Sequence, residues 1–287
     1  MRDAAISVVG LTKRFGTQTI WEDISFDVPR GEITVILGPS GTGKSVLLKH
    51  FVGLLKPTSG HVYVEGQDIP TLNEHDLFEV RKKFGVLFQD GALFGSMNIQ
   101  DNVAFPLREH TKLSEGLIRE LVQEKLELVG LQGAEKKFPG EISGGMKKRA
   151  GLARALVLDP EILLFDEPDS GLDPVRTAFL NLLTLDLKKR LGPTIIIVTH
   201  HIDTARTIPD YIGLIFARRL VMFGTRDEMF NSKKSVVRQF LTGSTDGPIG
   251  MSEEKDAAEG GPQPDAQSPN GPVRRQSRKP AADKTSS

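Results

Sequence analysis

The chain of 287 residues contains no cysteine. Disulfide scaffolds, zinc fingers, iron–sulfur clusters and thiolate nucleophiles are thereby excluded, and the composition fits a reducing compartment. Aromatic residues are scarce at 6%, with one tryptophan and two tyrosines. Net charge is absent: Lys+Arg and Asp+Glu number 37 each, so no basic field recruits nucleic acid. Long hydrophobic runs are missing as well. The longest are Ile33–Leu37, Ile162–Phe165, Ile195–Val198 and Ile212–Ala217, far short of the ~18–20 apolar residues that span a bilayer. The first ten residues lack the apolar stretch of a secretory signal. A role at a membrane would have to use transmembrane helices supplied by another protein.

What is present divides into two parts. Residues 244–287 carry no aromatic residue, and their only large apolar side chains are Ile249, Met251 and Val273 among Pro, Gly, Ser and charged residues. Such a segment buries too little apolar surface to offset its ordering entropy, which predicts a disordered tail. Within it, Arg274-Arg275-Gln276-Ser277 has the pattern of a basophilic kinase site, although a solvated charged patch is the favoured reading. Residues 1–243 read as one domain without internal repeats. The runs at 33–37, 162–165 and 195–198 are apolar without alternation, as in parallel strands covered on both faces. Residues 117–131 and 174–190 carry helical periodicity, with Gly130 as a stop after the first. The first 30 residues and 60–70 alternate instead, which predicts a small antiparallel sheet. The class is α/β.

The chemistry begins at Gly38-Pro39-Ser40-Gly41-Thr42-Gly43-Lys44-Ser45. This is a complete G-x-x-x-x-G-K-[ST] loop between the strand 33–37 and an apolar helix, the context that the motif requires. Its glycines let backbone N–H groups curl round a phosphate, and the helix start adds its dipole. Lys44 is placed to reach the β/γ-phosphates and Ser45 to ligate Mg²⁺. Ile162–Phe165 is followed by Asp166-Glu167, two acids at the carboxyl end of a parallel strand, where such sheets bind ligands. Asp166 then holds Mg²⁺ and Glu167 polarises the attacking water.

Ser143-Gly144-Gly145-Met146 precedes a helix read as Met146–Leu158, a second anion-seeking helix start. One domain has one γ-phosphate, so this second start suits a neighbouring subunit, with Ser143 as a plain N-cap the simpler alternative. Gln89 follows the apolar Val86-Leu87-Phe88. His200 and His201 follow the strand 194–199, and periodicity does not choose between them.

Taken in order, Phe15, Gly38–Ser45, Gln89, Ser143–Met146, Asp166-Glu167, Ser170-Gly171-Leu172-Asp173 and His200 resemble the ATP-binding-cassette (ABC) nucleotide-binding domain across residues 6–243. The resemblance implies a P-loop, RecA-like core with a small antiparallel β subdomain and a helical subdomain at about 90–155. It also implies ATP and Mg²⁺ as cofactors and a homodimer. In that pattern Phe15 stacks on adenine and Gln89 senses Mg²⁺ and water. Ser143, Gly144 and Gly145 face the opposite protomer's nucleotide, Glu167 is the general base, and Asp173 lies in an inter-subunit loop. His200 rather than His201 takes the γ-phosphate switch position.

A narrower resemblance lies in the stretch 80–94, with Gly91-Ala92-Leu93-Phe94, and in Pro106-Leu107-Arg108-Glu109-His110-Thr111. Met146 and Asp169 belong to it too. These are similar to the ATPases of Mce/Mla-type lipid transporters. That likeness implies ATP hydrolysis driving import of a phospholipid, fatty acid or sterol. The partners would be integral-membrane permeases of the YrbE/MlaE kind and, through them, Mce-type substrate-binding proteins, with the ATPase peripheral on the cytoplasmic face. The alternatives are an importer of another solute such as ribonucleotides, a soluble non-transport cassette, and a module that does not hydrolyse. The loop 90–98 is apolar for a loop, with Leu93, Phe94 and Met97 followed by Ile99, which suits a docking groove for a partner helix or, alternatively, packing within the helical subdomain. The resemblance favours the first and implies that the helix is the permease's.

Overall fold

The computed structural model describes residues 3–250. The expectations for residues 251–287, including Ser277, lie outside the described residues. In chain order the elements are β1 Ala4–Phe15, β2 Gln18–Pro29, β3 Ile33–Leu37, α1 Lys44–Phe51, β4 Ser59–Val64, β5 Gln67–Asp68, α2 Glu74–Arg81, β6 Phe84–Leu87, α3 Ile99–His110, α4 Glu115–Leu128 and α5 Gly144–Leu156. There follow β7 Ile162–Asp166, α6 Pro174–Leu191, β8 Thr194–Thr199, α7 Ile202–Thr207, β9 Tyr211–Phe216, β10 Arg219–Thr225, α8 Arg226–Phe230 and α9 Ser235–Thr242.

Six strands form the central sheet in the order β10-β9-β3-β8-β7-β6. β3 pairs in parallel with both β8 and β9, Val35 lying opposite Ile197 and Ile212. Only β10 runs antiparallel, against β9. The non-alternating runs have a direct physical origin. Each inner strand is buried on both faces, and its alternate residues enter different cores. Val35, Leu37, Leu163, Phe165, Ile195 and Ile197 face the core shared with α3, α4 and α5. Ile36, Ile162, Leu164, Ile196 and Val198 face the core shared with α1, α2 and the small sheet. Each fully buried side chain of this size contributes roughly 1.5–3 kcal/mol. The small sheet runs β2-β1-β4-β5, all antiparallel, and Phe26 of β2 stacks on Phe223 of β10 at 5.3 Å.

Three expectations shift. The helix read as Met146–Leu158 begins at Gly144, because the Ser143 hydroxyl caps it, and ends at Leu156. Within the stretch read as tail, residues 244–250 are anchored. Gln239 of α9 donates from Nε2 to the Ile249 carbonyl at 2.8 Å and accepts from the Ile249 amide at 2.7 Å, while Ile249 packs on the larger core. One apolar residue and one buried amide suffice, a pairing that composition cannot register.

The third shift concerns the loop before α3. Ile99 is fully buried and Leu93 packs against the core, whereas Phe94 stays 43% exposed. Asn102, fully buried, shapes that loop: its Oδ1 accepts from the Phe94 amide, and its Nδ2 donates to the carbonyls of Phe94, Met97 and Asn98. Asn102→Ala strands these groups and should cost about 2–3 kcal/mol. The check is a lower urea midpoint at unchanged slope.

Candidate functional site

Parallel strands point the same way, so the carboxyl ends of β3, β6, β7 and β8 gather on one edge of the sheet. The loop 38–43 leaves β3 there. At Gly38 a Cβ would lie 2.4 Å from the Ile215 carbonyl oxygen. At Gly43, with φ at +85°, it would lie 2.4 Å from Ile20 Cγ2 and 3.0 Å from Trp21 Nε1. The loop is thus clamped against β9 at one end and β2 at the other, with no room for a side chain. Trp21 fastens it further, its Nε1 donating to the Thr42 carbonyl at 2.9 Å. Lys44 is buried and folded back, donating to the carbonyls of Gly38 at 2.9 Å and Pro39 at 2.7 Å. The first turn of α1 holds no acidic residue, so its amide dipole is open to an anion.

Ser45 Oγ donates to Asp166 Oδ1 at 2.6 Å. Burial pushes the Asp166 carboxyl above its ordinary range, and the Ser45 bond pulls it part of the way back. A hydroxyl and a partly desolvated carboxylate side by side are the hard oxygen donors that Mg²⁺ takes in ones and twos, leaving its remaining positions to phosphate and water. Among the described residues no cluster of three or more acidic or histidine ligands exists.

Glu167 has φ +46°, the left-handed region that a non-glycine residue occupies at a cost of about 1–3 kcal/mol. Its amide donates to the Val198 carbonyl at 2.9 Å, which holds the sharp turn at the end of β7. His200 Nδ1 lies 3.5 Å from Glu167 Oε1, and that buried nitrogen makes no hydrogen bond. His201 instead holds the N-cap position of α7 without a side-chain capping bond, and its ring lies tilted against that of His200, 4.7 Å between centres. Gln89, after β6, donates from Nε2 to Ser170 Oγ at 3.1 Å. One edge therefore gathers Lys44, Ser45, Gln89, Asp166, Glu167 and His200.

The remaining residues stand apart from this group. Ser143 and Gly144 are exposed, and the Ser143 hydroxyl accepts from the Met146 amide at 3.3 Å. That bond leaves the hydroxyl's own proton for an external acceptor. Asp173 caps α6, accepting from the Arg176 amide at 2.9 Å. Phe15 is 45% exposed, with Lys13 Nζ 4.7 Å from its ring centre. Sequence reasoning assigned no role to Trp21, Lys148 or Thr199, and took Asp169 only as part of the narrower resemblance, with no partner. A charged residue amid the apolar stripe of α5 was the only signal for Lys148.

These features agree with what the chain is similar to. A family described as ABC transporter matches residues 21–170. The probable ribonucleotide transport ATP-binding protein mkl of Mycobacterium leprae is 63% identical over 252 residues, covering 88% of this chain and 73% of that protein. The intermembrane phospholipid transport system ATP-binding protein MlaF of Haemophilus influenzae is 45% identical over 249 residues, covering 87% and 94%. Among solved structures, the dimeric post-hydrolysis state of an ATP-binding cassette bound to ADP and Pi superposes with a TM-score of 0.71 at 28% identity, covering 77% of this chain and 98% of that one.

Proposed function

The chain belongs to the ABC transporter family as an ATPase subunit, and from that membership we propose that it drives lipid import through a separate Mce/Mla-type permease. It works as a homodimer in which two nucleotides lie between the protomers. Lys44 leaves its two loop carbonyls for the β/γ-phosphates, and the amides of 38–45 wrap them. Ser45 and Asp166, with Gln89 beside them, would hold Mg²⁺, which neutralises charge on the phosphates when bound. Glu167 accepts the proton of the attacking water. His200, beside Glu167, contacts the γ-phosphate with its imidazole. Ser143, Gly144 and Gly145 close on the nucleotide of the opposite protomer, Asp173 lies at the joint between the two chains, and Phe15 offers its exposed ring to adenine.

Among the described residues no helix is long and apolar enough to cross a membrane. The membrane partner is a permease, and the ATPase sits peripherally on the cytoplasmic face. The observation that carries the docking is Phe94. Its ring lies 5.0 Å from that of Phe105, and the Arg154 guanidinium lies 5.8 Å from its centre. Arg154 also lines a neighbouring groove with Phe78, Phe84, Phe88 and Pro106. Such an apolar recess accepts the apolar face of a helix.

The lipid class is supported by the 45% identity to a phospholipid-system ATPase over 94% of its length. The name borne by the more similar mycobacterial protein favours ribonucleotides as the second reading. Phe94→Asp should leave ATP binding intact and release the permease, read by co-purification. Cells carrying the intact complex should take up labelled phospholipid, fatty acid or sterol. Uptake of labelled ribonucleotides alone would replace the lipid reading and leave the motor in place, whereas retention of the permease by Phe94→Asp would discard the docking site.

A further inference from the structure

Two residues past Glu167, Asp169 is fully buried. A buried carboxylate is costly unless its lone pairs are satisfied. Here hydroxyls satisfy them: Thr199 Oγ1 donates to Oδ1 and Oδ2 at 2.8 and 2.9 Å, and Thr204 Oγ1 donates to Oδ2 at 2.7 Å. The Thr199 hydroxyl also accepts from the His201 amide at 3.0 Å. One hydroxyl thereby fixes the residue before His200 and the residue after it. On the other side of Asp169, buried Lys148 donates from Nζ to the Pro168 carbonyl at 2.8 Å and to the Ser170 carbonyl. One ammonium thereby fixes the residues on both sides of Asp169. Lys148 stands one helical turn beyond Gly144 on α5, and Ser170 Oγ is the partner of Gln89.

We infer that Asp169 and Thr199, braced by Lys148, are positioning residues that set His200 against Glu167 and tie both to the helix bearing Ser143–Gly145. The inference rests on the roles given above to His200 and Glu167. The network spans the segment after β7, the segment after β8 and the start of α5, so a displacement of any one is carried to the other two. A charged acceptor strengthens each hydroxyl bond, which suits a joint that must hold its geometry rather than merely fill space. The 3.5 Å approach of His200 Nδ1 to Glu167 Oε1 is the distance that this joint sets.

Thr199→Val keeps the β-branched shape in the strand and removes the hydroxyl; Thr199→Ser restores the hydroxyl. Measured with the full chain, Thr199→Val should lower kcat for ATP about tenfold, since small displacements of reacting groups are that costly, with KM within twofold of the parent. Thr199→Ser should recover most of the loss, and Asp169→Asn should reproduce it. In a His200→Ala background, Thr199→Val should lower kcat no further. An equal further loss in that background, or a Thr199→Ser protein as slow as Thr199→Val, overturns the inference. A His200→Ala protein with unaltered kcat overturns instead the role of His200 on which the inference stands.

Discussion

Glu167→Gln should bind ATP as the parent protein does and turn it over at least ~10²-fold more slowly. The carboxamide matches the carboxylate in size, so the left-handed backbone at φ +46° is strained no more than before. The amide bond to Val198 is untouched. Only proton acceptance is lost. Because hydrolysis is blocked and binding is not, the nucleotide-bound dimer should accumulate. Sedimentation with ATP and Mg²⁺ should show a shift toward dimer in Glu167→Gln. Adding Ser143→Arg, at the exposed cap of α5, should return the protein to monomer. Near-parental turnover in Glu167→Gln would remove this residue from the role of base.

Gly43→Val should lower ATP affinity by roughly five- to 150-fold, the equivalent of the about 1–3 kcal/mol that a non-glycine residue pays at positive φ. Strain is only half of the argument. The new Cβ would stand 2.4 Å from Ile20 Cγ2 and close to the indole of Trp21, so the loop must lift from β2. Trp21 would then lose its bond to the Thr42 carbonyl. As the single tryptophan of the chain, it reports the change directly, through altered emission before any nucleotide is added. Gly140→Ala, where a Cβ meets nothing within 4 Å, should change neither emission nor affinity. Tight ATP binding by Gly43→Val with unaltered emission would contradict the clamped loop.

The residues Gly38–Ser45 and Asp166-Glu167 were legible in sequence because their chemistry is local. A phosphate loop needs glycines at fixed offsets, and a buried strand that ends in acids announces both its burial and its edge. The helix starts were nearly as plain, since Ser143 and Asp173 cap their own helices within three residues. The choice of His200 over His201 was not readable from periodicity, and only the distance to Glu167 and the unbonded Nδ1 support it here.

By itself, then, the sequence determined what repeats within a segment: the inner strands with both faces apolar, the amphipathic helices, the phosphate loop and its acids. These patterns repeat with the geometry of one strand, helix or loop, so a window of sequence contains the whole of each even though the partners that bury it lie elsewhere. The tertiary structure alone decided that Leu93 and Ile99 turn inward while Phe94 stays out, that Trp21 braces the loop at Thr42, and that Gln239 holds Ile249. It alone joined Lys148 to Pro168, and Asp169 to Thr199 and Thr204, across 20 to 35 positions of chain. Such pairs carry no period, because their meeting depends on β7 lying beside β8 in the sheet and on α5 bringing Lys148 to the segment after β7. A buried charge is stable only where that assembly supplies its partners.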